Sequence, residues 1–414
     1  MLRLALPITA LLAGITLLLL GVGLLNTLLP MRGALEGYSA QLLGVVMSCY
    51  FIGFLLGTWW APRLIRRIGH IRSFACCAAL VACTALLYVL LLNPWWWLLL
   101  RILTGAGLVV LYTAIESWLN GQSSREQRGQ IFALYMMVNL VALALAQQLI
   151  RLAEPIAFTL FAISALCVTA ALIPVTVTRL VPPPVPVSVS FDLRQIFRLA
   201  PVAAVASILS GLAMGGFWGL LPLYVQRLGF PSETIAGVMS VSILGGALLQ
   251  YPLGRFSDHY ERRNVIVILA AAASIAALFL AMITQLLPGR PFWLMVGGFI
   301  YGGFAFAVYP VAVAHLVDQL DQSQVLEGCS GLLFLNGVGA VFGPLIAGGL
   351  MTQAGAGSLP LYFALMQMAL CIYAVYQRNR RQPLMATADN SGHYVPMLRT
   401  SPVVMQLHPD GDEA

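Results

Sequence analysis

One apolar stretch of the sequence contains an arginine. Arg101, Gly105 and Gly107 form the pattern R-x-x-x-G-x-G between about Trp95 and Leu119. An arginine at the centre of a lipid-buried helix costs roughly 2.5 kcal/mol or more, so a charge in such a segment usually serves a function. Arg101 needs a partner there, which could be a carbonyl freed near a proline, the amide of Asn26, or an anion that binds from outside.

The same stretch also carries an acid. If it is helical, Tyr112 and Glu116 fall within about 60° of Arg101 around the helix axis, so one stripe carries a cation, a phenol and a carboxylate. Arg101 and Glu116 lie roughly 22 Å apart along the axis, which prevents direct pairing. Glu116 therefore has two interpretations: a proton carrier, or a member of a structural ion pair with Arg66 and Arg67.

Composition identifies the elements that position these residues. Hydrophobic residues make up 60% of the 414 and charged residues 9%, against about 25% charged in soluble proteins. Because a bilayer core requires about 20 apolar residues per helix, we predict an all-α membrane protein with twelve transmembrane helices. The predicted spans lie near residues 6–29, 42–62, 73–92, 95–119, 130–150, 156–178, 201–225, 234–253, 265–287, 292–315, 329–351 and 359–377.

The basic residues are distributed unevenly between the two sides of the predicted membrane. All 22 are arginines, and 17 fall in the N-terminus, the even-numbered loops and the tail, whereas four fall in the odd-numbered loops. By the positive-inside rule, we predict a multi-pass protein of the bacterial cytoplasmic membrane with both termini in the cytoplasm. The net charge of +7 then needs no nucleic-acid partner, because basic residues are expected at the cytoplasmic face.

A linker divides the chain into two halves. Prolines open the segment 179–200, and a short basic amphipathic stretch follows near its end. We predict an N-terminal six-helix bundle over 1–178, a cytoplasmic linker over 179–200, a C-terminal six-helix bundle over 201–377, and a disordered cytoplasmic tail over 378–414.

The halves repeat. At an offset of 197 residues, Tyr112 and Asn139 align with Tyr309 and Asn336, and at an offset of 193 several residues of span 2, beginning with Gly44, align with span 8. Such matches in the same span order favour two pseudo-symmetric bundles around an axis along the membrane normal. This 6+6 architecture leaves a cleft between the bundles.

These patterns resemble those of the major facilitator superfamily. The R-x-x-x-G-x-G of span 4 resembles a signature of that family. A second signature, G-x-x-x-D-x-x-G-R-R, is similar to the segment from Gly254 through Asp258 to Arg262 and Arg263, whereas its first copy, around Arg67, is degraded. The resemblance implies that Asp258, Arg262 and Arg263 latch a cytoplasmic gate, and that Glu116 with Arg66 and Arg67 does so in the other half.

Span 11 carries a further pattern of the family. Gly339, Gly343 and Pro344 resemble a helix-packing motif that antiporters carry in span 5, whereas span 5 here has Ala146 and Gln147 where Gly and Pro are usual. More narrowly, the chain is similar to the YcaD-type group of bacterial facilitators, on the segments 25–28, 116–117, 128–129, 135–138 and 309–312. That group implies transport and names no substrate.

The remaining polar and aromatic residues in the spans have two interpretations. The amides could line the cleft or simply join helices, and the aromatics could line it or pack. The predicted cleft residues are Arg101, Asn26, Tyr112, Tyr135, Asn139, Tyr309, Asn336 and Trp218. We also predict that Trp95, Trp96 and Trp97 form an aromatic belt at the membrane surface.

The resemblance implies a secondary transporter that works by alternating access. We expect a small amphipathic or anionic solute, proton coupling, export slightly favoured over import, lipid contact, and a monomer. No cofactor, metal site or enzymatic residue set is predicted. The alternatives are uptake of a sugar or amino acid, and a non-transporting sensor or assembly factor.

Overall fold

The computed structural model of the protein describes residues 2–122, 128–178, 192–321 and 324–380. The first part of the predicted linker and almost all of the predicted tail lie outside these residues. Within them the chain forms fourteen α-helices: α1 Leu2–Leu35, α2 Ala40–Ile68, α3 His70–Leu90, α4 Pro94–Gln122, α5 Arg128–Gln148, α6 Phe158–Ala170, α7 Leu172–Val177, α8 Leu193–Leu199, α9 Pro201–Arg227, α10 Ser232–His259, α11 Arg262–Leu286, α12 Pro291–Val317, α13 Val325–Gln353 and α14 Ser358–Arg380.

Twelve segments are long and apolar enough to cross a membrane, which confirms the predicted number. Spans 1 to 5 are α1 to α5, span 6 is α6 with α7, and spans 7 to 12 are α9 to α14. Several helices are longer than the apolar runs. Span 2, for example, continues past Pro62 to Ile68, because a helix that leaves the hydrocarbon keeps its backbone hydrogen bonds while its sequence turns polar.

The short helix α8 occupies the end of the linker. Its N-cap is Asp192, whose side chain accepts a hydrogen bond from the Arg194 N–H at 2.8 Å. Between spans 2 and 3 the chain turns at Gly69, which has φ 83°. A side chain is strained in that left-handed conformation.

The two halves pack alike. In the first half, span 2 lies against span 4, and span 1 against spans 5 and 6; in the second, span 8 lies against span 10, and span 7 against spans 11 and 12. Across the interface, span 1 contacts span 7, span 2 contacts span 11, and span 5 contacts span 8. This arrangement is the pseudo-symmetric one predicted from the repeat.

Glycines permit the close approach of paired spans. A Cβ at Gly105 would lie 2.1 Å from the Tyr50 carbonyl oxygen, and one at Gly302, its counterpart at offset 197, would lie 2.0 Å from the Ser242 oxygen. The same glycine-on-carbonyl contact thus joins spans 2 and 4 and spans 8 and 10. Gly107 faces span 3, where a Cβ would lie 3.0 Å from a methyl group of Val81.

Glycines also permit a close approach of span 11 to span 7. A Cβ at Gly339 would lie 2.2 Å from the Ile208 carbonyl oxygen, and one at Gly343 would lie 2.3 Å from that of Leu212. The glycines of the G-x-x-x-G-P pattern therefore hold the two spans at backbone distance, and Pro344 follows within the helix.

One prediction about the helix ends is wrong in part. Trp95 and Trp96 are exposed, as an aromatic belt requires, but Trp97 is fully buried. Its Nε1 donates to the carbonyl oxygens of Tyr88 at 3.1 Å and Leu91 at 3.0 Å. The three side chains point in different directions because consecutive helical residues are about 100° apart, so only two can face lipid.

Candidate functional site

A cavity lies between the two bundles. Its walls come from spans 1, 2, 4 and 5 of the first half and spans 7, 10 and 11 of the second. It has a volume of about 150 Å³ and is open in part. A volume of this size accommodates a benzene-sized ring in a protein interior.

Seven of the eight predicted cleft residues line this cavity. They are Asn26, Arg101, Tyr112, Asn139, Trp218, Tyr309 and Asn336. The repeat-related pairs therefore meet across the cavity, with Tyr112 and Asn139 on one wall and Tyr309 and Asn336 on the other. The eighth, Tyr135, is not among the lining residues; it is fully buried and donates a hydrogen bond to Glu116.

Arg101 is held in the cavity wall by uncharged groups. Its Nη1 donates to Asn26 Oδ1 at 3.0 Å, its Nη2 lies 3.3 Å from the Met47 sulfur, and its Cζ lies 4.8 Å from the centroid of the Tyr50 ring. Asn26 is one of the partners expected from the sequence. Nε has no acceptor of normal geometry within the described part of the chain, although the Tyr88 hydroxyl lies close to the guanidinium. No described carboxylate forms an ion pair with Arg101.

A positive charge therefore stays in the wall without a negative partner there. The side chain is 1% exposed, and burying a charge is costly unless it is paired. The hydrogen bond, the sulfur contact and the cation–π contact with Tyr50 offset part of that cost. An anion in the cavity would offset more of it.

Aromatic side chains face each other from the two bundles. On the first wall, Phe54 lies 6.4 Å from Tyr112 between ring centroids. On the second, Trp218 lies 5.8 Å from Phe306. Such walls favour a flat or apolar solute body.

Several residues that line the cavity were not predicted from the sequence: Met47, Tyr50, Phe54, Ser210, Met214 and Phe306. The first three are separated by three and four positions in span 2 and so share one helix face. Angular positions around the helix axis, which grouped Arg101 with Tyr112 in span 4, also place these three residues on one face of span 2. No comparable signal distinguishes Ser210 or Met214.

The buried amides differ in role. Gln147 accepts a hydrogen bond from Thr27 at 2.5 Å and so joins spans 5 and 1. Asn336 donates to the Ser207 carbonyl at 3.1 Å. In contrast, neither polar atom of the Asn139 amide has a hydrogen-bond partner of normal geometry in the described part of the protein, although Tyr135 lies close. Buried polar groups without partners are rare in folded proteins, so Asn139 is available to a ligand.

Glu116 forms no ion pair with Arg66 or Arg67 among the described residues. It is fully buried, and the Tyr135 hydroxyl donates to its Oε1 at 2.8 Å. Arg66 and Arg67 are exposed and form no ion pair among the described residues. The proposed latch between them is not formed in this conformation, and it stays a prediction.

The second predicted latch has a clear geometry. Arg262 pairs with Asp258 at 3.2 Å and with Asp318 at 2.6 Å, and it donates to Ser257 Oγ at 3.0 Å. Arg263 beside it is 5% exposed. Asp318 follows the last residue of span 10, so the arginine joins the ends of spans 8, 9 and 10. The sequence did not indicate Asp318 as a partner.

One end of the cavity is closed where the odd-numbered loops lie, which we call the odd-loop side. A Cβ at Gly44 would lie 2.3 Å from the Pro344 carbonyl oxygen, and one at Gly348 would lie 2.5 Å from that of Ala40. Spans 2 and 11 thus touch through their backbones. Because no side chain separates them, this seam leaves no passage.

Hydrogen bonds join the two bundles on the odd-loop side, both at this seam and between other spans. Spans 5 and 8 are joined from Gln148 Nε2 to Ser240 Oγ at 2.5 Å, and spans 1 and 7 from Gln226 Nε2 to the Met31 carbonyl at 3.3 Å. The start of span 2 donates from the Gln41 N–H to Thr352 Oγ1 in span 11 at 2.9 Å. All three pairs lie on the odd-loop side.

The opposite, even-loop side is joined differently. There Trp59 of span 2 lies 6.3 Å from Phe334 of span 11 between ring centroids. Trp59 is 51% exposed. A loose aromatic contact of this kind separates more readily than two touching backbones.

Comparison with known proteins agrees with this architecture. A model of the family described as the Major Facilitator Superfamily matches residues 11–286 and, in a second match, 203–405. The uncharacterised MFS-type transporter YcaD of Salmonella newport (strain SL254) is 30% identical over 348 residues, covering 83% of this chain and 89% of YcaD.

Two solved structures show the same fold. The nucleoside transporter NupG has a TM-score of 0.72 at 15% sequence identity, with 89% of this chain and 98% of NupG covered. A D-xylose–proton symporter has a TM-score of 0.67 at 14% identity, with 90% and 97% covered. At these identities the likeness concerns the fold alone.

Proposed function

From the premise that this chain belongs to the major facilitator superfamily, we propose that it carries a small amphipathic or anionic solute across the bacterial cytoplasmic membrane. The family and the twelve spans make it a multi-pass membrane transport protein. The solute, the direction and the coupling ion are our proposals. We also propose that a single chain suffices, because both walls of the cavity belong to it.

The observation that carries the proposal is the cavity between the bundles, closed on the odd-loop side. Its two walls belong to separate bundles, so a rocking movement can open one end while it closes the other. With both termini in the cytoplasm, as the arginine distribution favours, this conformation faces inward. Export is the direction that we favour, and counterflow in vesicles of known orientation tests it.

The wall chemistry supports the proposed solute class. Arg101 supplies a positive charge without a described carboxylate partner, and aromatic rings from both bundles supply apolar surface. A solute with one negative group and an apolar body matches both. A sugar would need more hydrogen-bonding side chains than the amides and hydroxyl groups found on these walls.

For coupling we propose that Glu116 carries a proton. The carboxyl is fully buried and bonded to Tyr135, and Asn139 lies one helical turn beyond Tyr135 on the cavity wall. This arrangement connects the carboxyl to the cavity through adjacent polar groups. We further propose that the cluster of Asp258, Arg262 and Asp318 stabilises the ends of the second bundle while the bundles rock.

A stabilisation screen tests the function. Purified protein is heated with a chemically diverse set of solutes at two pH values, and a ligand at 100 times its dissociation constant should stabilise the fold by about 2.7 kcal/mol. The stabilising solute is then followed into proteoliposomes. We expect Arg101→Gln to abolish uptake, whereas Arg255→Gln, at an exposed arginine, leaves it intact.

Two results would contradict the proposal. A flat screen with well-folded protein would argue against a small solute. Normal uptake by a folded Arg101→Gln variant would show that the guanidinium does not serve the cavity.

A further inference from the structure

One edge of the Arg101 guanidinium, formed by Nε and Nη2, has weak hydrogen bonding. Nη1 donates to Asn26, Nη2 lies against the sulfur of Met47, and Nε has no acceptor of normal geometry among the described residues, although the Tyr88 hydroxyl lies close to the guanidinium. A thioether sulfur is a weak acceptor. A carboxylate accepts two parallel hydrogen bonds from such an edge, and these charge-assisted bonds are about twice as strong as neutral ones.

The Met47 side chain can move away from the Nε–Nη2 edge of the guanidinium. Its side chain lies on the cavity wall beside Arg101, and an unbranched methionine changes rotamer readily. If the sulfur swings aside, one carboxylate oxygen can accept from Nη2 and the second from Nε. The sulfur therefore lies where an acid group would bind.

The walls of the cavity favour a particular kind of ligand body. The cavity is open in part, and its volume of about 150 Å³ accommodates a benzene-sized ring, while the movement of Met47 adds room for a carboxylate. The ring would lie between Tyr112 and Phe54 on one side and Trp218 and Phe306 on the other. Contacts between aromatic rings favour a planar ring over a saturated one.

Two buried polar side chains on the cavity wall could form a second contact with the ligand. The Asn139 and Ser210 residues are each 1% exposed, and neither side chain has a hydrogen bond of normal geometry in the described part of the protein, although Tyr135 lies close to Asn139. Since they belong to different bundles, a single polar substituent on the ring could bind both. Unmet buried donors and acceptors cost free energy until a ligand satisfies them.

We propose that the cavity binds a monocyclic aromatic carboxylate, with the carboxylate on the Nε–Nη2 edge of Arg101 and a ring hydroxyl or amino group at Asn139 and Ser210. This inference rests on the proposed transport function and names its solute class. It also assigns Met47 as the residue that covers the binding edge and moves aside when the carboxylate binds.

Binding to the full-length purified chain, followed by calorimetry and by thermal unfolding, tests it with 4-hydroxybenzoate as the probe. Two analogues each remove one feature: 4-hydroxybenzamide lacks the charge, and cyclohexanecarboxylate lacks the aromatic ring. We expect each to bind roughly tenfold more weakly or worse, which is the loss of one charge-assisted or one ring contact. Equal binding of 4-hydroxybenzamide would overturn the inference.

Substitutions of the proposed contact residues test each contact with the ligand separately. Met47→Leu keeps the volume and removes the sulfur, so it should bind 4-hydroxybenzoate at least as tightly as the wild type, whereas Arg101→Gln should lose at least roughly tenfold. Asn139→Leu should abolish the preference for 4-hydroxybenzoate over benzoate. If Arg101→Gln does not fold, the analogue series on the wild-type protein decides alone.

Different experimental results would contradict the inferred solute class and the proposed transport function. Stabilisation and uptake of another solute, for example a nucleoside or a pentose, without binding of 4-hydroxybenzoate would overturn the inference and leave the transport function standing. A protein that neither binds nor transports any member of the set would overturn both.

Discussion

The closed seam on the odd-loop side gives the sharpest test of the proposed movement. In the substitution Gly348→Ala, the new methyl group would lie 2.5 Å from the Ala40 carbonyl oxygen. Ordinary carbon–oxygen contacts are about 3.3 Å, so spans 2 and 11 must separate by about 0.8 Å. Overpacking of this kind costs about 1–3 kcal/mol.

This free-energy cost destabilises the conformation in which the seam is closed. In a protein with two conformations, about 1–3 kcal/mol changes their ratio by a factor of roughly 5 to 150. We therefore expect Gly348→Ala to populate a conformation in which the odd-loop ends of the two bundles are farther apart. Gly44→Ala, whose methyl group would lie 2.3 Å from the Pro344 oxygen, should act in the same direction.

The neighbouring glycine provides a matched control. A Cβ at Gly349 has no atom within 4 Å, so Gly349→Ala introduces no clash. Both substitutions gain the same helix propensity, up to about 1 kcal/mol, which cancels when the two are compared. The difference between them isolates the contact across the seam.

Distances between spin labels measure the outcome. Labels on Leu35→Cys and Arg227→Cys, both exposed at the odd-loop ends of spans 1 and 7, report the separation in a background without the seven native cysteines. A longer distance should gain population in Gly348→Ala and not in Gly349→Ala. Identical distance distributions in the two variants would refute the assignment of this seam as a moving gate.

Three further predictions concern other parts of the protein. Glu116→Gln should retain solute exchange and lose the dependence of uptake on pH, measured in proteoliposomes; unchanged pH dependence would exclude Glu116 as the proton carrier. Arg262→Gln should lower the free energy of unfolding by about 3 kcal/mol, because it removes a buried cation that pairs with two carboxylates, whereas Arg255→Gln should change it by less than about 0.5 kcal/mol; equal melting temperatures would contradict this. Gly105→Ala should destabilise the fold more than Gly107→Ala, because its methyl group meets backbone rather than a side chain, and thermal unfolding of the pair measures the difference.

The twelve spans and the cavity walls were largely predictable from the sequence. Apolar length determines a transmembrane helix directly, since the bilayer tolerates few alternatives. The repeat then related Tyr112 to Tyr309 and Asn139 to Asn336, and all four line the cavity. Their positions follow from symmetry, which a sequence carries as a constant offset.

Contacts that depend on side-chain direction were not predictable in this way. Tyr135 shares a helix face with Asn139, yet it bonds to Glu116 and does not line the cavity. Asp318 lies outside the arginine motif and reaches Arg262 only because span 10 ends beside span 9. Pairing across spans depends on rotamers and on relative helix positions, neither of which a periodic pattern records.

The seam between spans 2 and 11 has a consequence for how the protein responds to its surroundings. None of the ion pairs found among the described residues joins the two bundles. On the odd-loop side the bundles are joined by glycine contacts and by hydrogen bonds to uncharged acceptors, one of which comes from the Arg151 guanidinium to the Glu233 carbonyl oxygen. Dissolved salt weakens exposed charge pairs by screening, but it has little to act on here. The balance between the two conformations should therefore depend little on ionic strength, and under the proposed mechanism the solute and the proton are the agents that shift it.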